Sequence, residues 1–243
     1  MKWGVLQYVR SAAMTAFIPL LTFLISLFAL IGIVVFRLSP RRIQALPRLW
    51  GRIICRGVGV SVRILGLEKI VAGRPYIFAA NHQSQFDIFA LQGYFPYDFR
   101  WMAKMELFRV PVFGQAMRLA GYIPVNRASG REALQSLGEA AARIAAGTSV
   151  VIFPEGTRSP DGHLLPFKSG GMALAIKAGV PVVPVAISGT RAVLPKGRLL
   201  AAAGRVVIRL GDPIETGAYT MKQKGELAAR LQEQVAALLA ERP

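Results

Sequence analysis

Cysteine is all but missing from this 243-residue chain: Cys55 stands alone. That excludes an intrachain disulfide and any cysteine-based metal cluster within one chain. Histidine is nearly as scarce, with only His82 and His163. Neither is accompanied by a second clustered ligand set, so zinc is not expected. The chain has no G-x-G-x-x-G loop and no Walker A loop, and no bound nucleotide cofactor is expected. The G-x-S-x-G elbow is also missing, which removes the usual sign of a serine hydrolase. Acidic residues are few: 13 Asp and Glu face 30 Lys and Arg, for a formal net charge of +17. A charge of that size attracts something anionic, whether nucleic acid, an anionic membrane or a phosphorylated substrate. No nucleic-acid-reading motif is recognisable. With hydrophobic residues at 53% and charged ones at 18%, the chain is greasier than an ordinary soluble domain. Lipid is the simpler partner, and no nucleic acid is expected.

Charge is absent altogether from Ser11 to Phe36. As a helix this stretch is about 39 Å long, enough to cross a hydrocarbon core with some tilt. It is too long for a signal-peptide core and is followed by arginines rather than a cleavage site. Pro19 leaves a re-entrant or half-submerged helical hairpin open as the alternative to a span. Arg37, Arg41, Arg42, Arg48, Arg52, Arg56 and Arg63 follow before the first acidic residue, Glu68. If the stretch spans, that excess places the rest of the chain on the cytoplasmic side of the inner membrane. Arg48, Arg52 and Arg56, four apart, form one ridge of an amphipathic helix, expected near lipid phosphates. Residues 1–57 therefore read as a membrane-anchoring helical region.

Beyond the anchor, short apolar runs alternate with helical stretches. Strands are expected over Val60–Leu65, Tyr76–Ala80, Tyr97–Ala103, Tyr122–Val125, Thr148–Phe153, Val182–Ile187 and Arg205–Leu210. Pro184 marks the sixth as an edge or irregular strand. Ser129 with Glu132 is a capping box that opens a helix ending before Gly147. Further helices are expected over Gly170–Ala178 and from Gly225 to Glu241, the latter packing through Leu227, Leu231, Val235 and Leu238. Alternation of this kind means an α/β domain, a mostly parallel sheet flanked by helices, over residues 58–243. No internal repeat or low-complexity linker divides it.

Polar clusters stand where strands end, the usual place for ligands on such sheets. Asn81-His82-Gln83-Ser84-Gln85-Phe86-Asp87 follows YIFAA, and Glu155-Gly156-Thr157-Arg158-Ser159 follows TSVVIF. If a helix begins near Ser84, Asp87 folds back onto one ring nitrogen of His82 and leaves the other facing a cleft. That arrangement suits a general base taking a proton from an alcohol, though a purely structural turn pair has the same spacing. Arg158 offers a planar fork for phosphate oxygens; pairing with Glu155 across the turn is its bland alternative. Lys104 and Arg127 follow other strands, and Lys168 and Arg191 could add positive potential. Cys55 lies in an arginine-rich helical stretch, far from both clusters.

In order and separation these blocks resemble the 1-acylglycerol-3-phosphate acyltransferases over residues 60–215. Asn81 to Asp87 matches the first block, N-H-x-S-x-x-D. Lys104 in AKMELFRVPVFG, with Gly121 to Arg127, matches the second region. Glu155 to Ser159 is the third block, and Val183 to Ile187 around Pro184 is the fourth, giving a motif core at residues 76–190. The resemblance implies that His82 is the general base and that Asp87 orients it. The acceptor oxygen would then attack the thioester of acyl-CoA or acyl-carrier protein directly, with no covalent acyl-enzyme. It implies further that Glu155, Gly156, Thr157 and Arg158 bind an anionic lysophospholipid, supported by Lys104 and Arg127. Pro184 would shape the site or the acyl channel. Where many members carry an acidic residue before the arginine of the second region, this chain has Asn126 before Arg127. Relatives acylate other lysophospholipids or glycerol 3-phosphate, so the acceptor stays open at this point.

Overall fold

The computed structural model describes residues 4–125 and 131–241. Helix α1, Val5–Val34, carries Pro19 inside it and is long and apolar enough to cross a membrane. The chain then turns and returns through α2, Pro40–Ile43, and α3, Ala45–Val58. Helix α1 thus runs unbroken through Pro19, and α3 packs back against it. Helix α1 has two faces. Ser11, Leu21, Ser26, Ala29 and Gly32 are buried, whereas Leu6, Val9, Phe17, Leu20, Phe23 and Phe28 are exposed. Polar ties fasten its inner face to the body along the helix. Arg10 Nη2 donates to the Val58 carbonyl at the end of α3. Thr15 Oγ1 donates to Leu199 O at 3.0 Å, and Trp50 Nε1 donates to Thr22 Oγ1 at 2.9 Å.

The remaining elements alternate as the sequence suggests. Strand β1, Val60–Leu65, precedes β2, Ile77–Ala80, and α4, Phe86–Tyr94. Next come β3, Arg100–Lys104, α5, Phe113–Leu119, and β4, Ile123–Val125. Helix α6, Arg131–Ala145, leads to β5, Val150–Ile152, and α7, Gly170–Ala178. The chain closes with β6, Val182–Ser188, α8, Thr190–Val193, β7, Gly204–Leu210, and α9, Lys224–Ala240. All seven expected strands form one sheet, in the order β1-β7-β6-β2-β5-β3-β4. From β6 to β4 the pairs are parallel; β7 runs antiparallel to β6, and β1 parallel to β7.

Alternate residues of the strands feed two cores. Phe78, Val151, Val183 and Val185 pack beneath α1, α3, α4 and α5. Ile77, Val150, Ile152 and Val182 pack against α6, α7 and α9. Leu227, Leu231 and Val235 of α9 are fully buried there, as their helical spacing suggests.

Two local expectations are corrected. Strand β6 is central rather than an edge, lying between β7 and β2. Pro184 is tolerated because pairing with β7 begins one residue later, at Val185–Leu210, while the Pro184 carbonyl still accepts from Gly211 N at 2.8 Å. A proline costs a ladder bond only where a partner carbonyl awaits its N–H. The arginine ridge is also not wholly free for lipid. Arg52 Nε donates to Gly93 O at 2.7 Å, and Arg48 Nη2 donates to Pro96 O and Tyr97 O at 3.0 Å each. These cations satisfy the carbonyls at and just beyond the end of α4, where a helix leaves its last acceptors unpaired and favours positive charge. The capping box at Ser129 lies outside the described residues.

Candidate active site

The site begins where β2 ends. Asn81 is fully buried and clasps β6: its Nδ2 donates to Ile187 O at 2.9 Å, and its Oδ1 accepts from Ile187 N at 2.7 Å. The strand is thereby fixed in place just before His82. The chain then turns through Ser84, whose Oγ accepts from Phe86 N at 3.1 Å and donates to Leu194 O at 2.7 Å. Helix α4 starts at Phe86, so Asp87 sits in its first turn, where a carboxylate is favoured by the helix dipole.

One oxygen of Asp87 does three things. Oδ2 accepts from Gln83 N at 2.7 Å and from Ser84 N at 2.8 Å, and lies 2.7 Å from His82 Nδ1. The carboxylate is fully buried. Facing an acceptor, Nδ1 carries the proton, and Nε2 is left with its lone pair. The imidazole lies flat on Phe153, with ring centroids 3.9 Å apart and planes 12° apart. Phe153 in turn stacks on Trp101 at 5.7 Å. His82 is therefore held at its edge by Asp87 and on its face by an aromatic ring.

Glu155 braces the two polar blocks against each other. Its Oε1 accepts from His82 N at 2.6 Å and its Oε2 from Leu165 N at 3.1 Å. It is buried, and burial pushes its carboxyl above the usual carboxylate range while the two backbone donors oppose that shift. Ser159 N donates to His82 O at 2.8 Å and adds a second tie between the blocks. No Glu155–Arg158 ion pair forms among the described residues.

His82 opens into a cavity of about 1180 Å³. Lys104, Gly156, Thr157, Arg158, Lys168 and Lys196 line it on one side. Gly156 takes φ +74°, and a Cβ there would meet Lys168 Nζ at 3.0 Å. Such a backbone is open chiefly to glycine. Inner faces of α1, α3, α4 and α5 supply an apolar wall through residues such as Ile25, Trp50, Phe89 and Met117. A cationic rim beside a long apolar interior suits an anionic amphiphile.

Of the residues singled out from sequence, His82, Lys104, Gly156, Thr157 and Arg158 share this cavity. Asp87 and Glu155 stand behind it as buried supports. Arg127 and Asn126 lie outside the described residues. Lys168 joins the cationic rim, whereas the Arg191 side chain packs by Gly162. Sequence reasoning missed Lys196, whose Nζ donates to Arg158 O at 2.8 Å and steadies the third block. It sits far along the chain after an unremarkable loop, so nothing local marks it. Cys55 is buried, and burial pushes its thiol up to about 12. No group of three metal-ligating side chains gathers among the described residues.

The acyltransferase family profile matches residues 61–188, just over half of the chain and both blocks of the site. The chain belongs to the acyltransferase family. A 1-acyl-sn-glycerol-3-phosphate acyltransferase of Saccharomyces cerevisiae is 35% identical over 187 residues, 76% of this chain and 61% of that protein. A chloroplastic one of Brassica napus is 39% identical over 135 residues, 55% of this chain and 39% of that protein. The chain thus spans less than two thirds of the length of those relatives. A crystal structure of the 1-acyl-sn-glycerophosphate (LPA) acyltransferase PlsC from Thermotoga maritima superposes with a TM-score of 0.78. It is 28% identical, and the match covers 98% of this chain and 99% of that one.

Proposed function

We propose that this acyltransferase moves a fatty acyl group from acyl-CoA or acyl-carrier protein to the sn-2 hydroxyl of 1-acylglycerol-3-phosphate, giving phosphatidate. The observation that carries the reading is the His82–Asp87 pair, 2.7 Å apart, opening on a cavity with a cationic rim and an apolar interior. His82 Nε2 takes the proton of the acceptor hydroxyl, and Asp87 stabilises the imidazolium that forms. The acceptor oxygen bonds to the thioester carbonyl carbon, and the carbon–sulfur bond breaks. The imidazolium then returns its proton to the departing thiolate. A thioester is already activated, so positioning and a base are the main needs. Arg158 and Lys104 hold the acceptor phosphate, with Lys168 and Lys196 adding positive potential. Gly156 and Thr157 shape the turn that presents them.

The apolar interior takes the acyl chain, which enters from the lipid side past α1. Residues 1–57 serve as the membrane anchor and 58–243 as the catalytic domain, on the cytoplasmic face of the inner membrane. The relatives named above act on 1-acyl-sn-glycerol 3-phosphate by name, which supports that acceptor. The test is acyl transfer from palmitoyl-CoA to lysophosphatidate by detergent-purified protein, beside His82→Ala and beside glycerol 3-phosphate as acceptor. Phosphatidate formed only by the unsubstituted protein is the expected result. Product from His82→Ala at the same rate would overturn the base, and preference for glycerol 3-phosphate would overturn the acceptor.

A further inference from the structure

The apolar side of the cavity holds a polar cluster that the reaction does not use. Gln92 of α4 lines the cavity and is 2% exposed. Trp101 Nε1 donates to its Oε1 at 2.7 Å. An indole N–H can only donate, which fixes the orientation of the amide and turns its nitrogen the other way. That nitrogen has no partner among the described residues. Tyr122, which also lines the cavity, sets its hydroxyl 3.4 Å from Gln92 Oε1 and 3.5 Å from Gln44 Oε1. Both distances are at the long limit of a hydrogen bond. Gln44 is 4% exposed, and its Nε2 is buried without a partner. Exchanging oxygen and nitrogen on Gln44 would improve its contact with Tyr122 only by stranding the oxygen instead. Burial pushes the Tyr122 phenol up to about 12, so it keeps its proton.

Both amide NH2 groups of the cluster are therefore left without an acceptor among the described residues. An indole N–H, a phenol O–H and two amide NH2 groups face two amide oxygens and the phenol oxygen. Unpaired polar groups are rare in protein interiors, because stranding one costs its full desolvation. An all-hydrocarbon chain passing this wall leaves the cost standing. An oxygen on the chain removes the share that faces the cavity: a hydroxyl there accepts from the Gln92 NH2 and can return its own proton to the Tyr122 oxygen.

We propose that Gln92 and Tyr122, backed by Gln44, form a binding station for a hydroxyl group carried on the acyl chain, so that the cavity selects hydroxylated acyl donors by the position of the hydroxyl. The inference rests on the acyl-transfer reading, in which the chain occupies this cavity. A site built to bond a substrate hydroxyl discriminates by position, whereas a plain apolar wall rejects every hydroxyl alike.

The experiment compares palmitoyl-CoA with a series of monohydroxypalmitoyl-CoA isomers whose hydroxyl moves along the chain, using detergent-purified full-length protein. One position, or two neighbouring ones, should be used about tenfold better than the other isomers, the worth of one well-made hydrogen bond. In Gln92→Leu that ratio should collapse toward one. Gln44→Met, which leaves Trp101 its partner, should lower it in the same direction if Gln92→Leu does not fold. Equal use of every isomer by the unsubstituted protein overturns the proposal, as does a positional preference that survives both substitutions. The matching free hydroxy fatty acids are titrated in parallel, read by tryptophan fluorescence. A positional preference in binding without turnover would sink the acyl-transfer reading and keep the station. Turnover of palmitoyl-CoA with no positional preference in either assay would do the reverse.

Discussion

At the scale of single residues, the burden falls on one oxygen of Asp87. It gathers two backbone N–H groups and the His82 ring, all within 2.8 Å. Asp87→Asn keeps an oxygen for the backbone donors but removes the charge that steadies the imidazolium. We expect kcat to fall by roughly 10²–10⁴ with a much smaller change in KM, read in steady-state kinetics; an unchanged kcat would remove Asp87 from the machinery. Glu155 has a different signature. Its folded-state pKa is raised by burial, so its share of stability is complete below the unfolded carboxylate value. That share is lost as pH rises through the folded value. Measured as Tm against pH, the unsubstituted protein should lose stability across that window relative to Glu155→Gln. At low pH the glutamine should be the less stable by about 1–3 kcal/mol, because its NH2 confronts one of two backbone donors. The pairing of His82 with Asp87 was legible in sequence because it is local, five residues across a strand-to-helix turn. Asn81 and Ile187 are 106 residues apart, and no local pattern couples them.

At the scale of elements, α3 and α4 meet backbone to backbone. A Cβ on Gly51 would lie 2.6 Å from Gly93 N and from Phe89 O. Gly51→Ala should force the helices apart and cost about 1–3 kcal/mol or more, seen as a lower midpoint in thermal unfolding. The same shift would carry α4, and Asp87 with it, away from His82, so activity should fall further than folded fraction. Strands were readable because each is a short apolar run closed by turn residues. Their order was not, since apolar runs carry no record of neighbours: β6 reads as an edge or irregular strand from Pro184 alone yet lies mid-sheet. Nor does any pattern announce Val112, a β-branched residue at φ 64° and ψ −59° in a γ-turn closed by Phe113 N to Pro111 O at 2.7 Å. The arginines of α3 look like a lipid-facing ridge in sequence because their carbonyl partners belong to α4 and the loop after it.

At the scale of the whole molecule, α1 is a wall with two sides. Its inner side lines the cavity through Ile18, Thr22, Ile25 and Ala29. Its outer side bares Leu20, Phe23 and Phe28. Because Arg10, Thr15 and Trp50 tie it to the body along its length, it lies against the domain and offers one apolar flank to lipid. Attachment through that flank does not depend on charge, despite the net +17. Membranes washed in about 1 M salt, where screening reaches within about 3 Å, should retain the full-length protein, and its appearance in the supernatant would refute the anchor.

The two-sided wall has a kinetic consequence. If lipid covers one flank of α1 and the acyl chain the other, the reactants reach His82 from a film rather than from solution. The concentration that governs turnover is then a mole fraction per unit of surface. Diluting lysophosphatidate with inert phospholipid slows such an enzyme even when the amount per millilitre stays fixed, and enlarging the volume of water around it changes nothing.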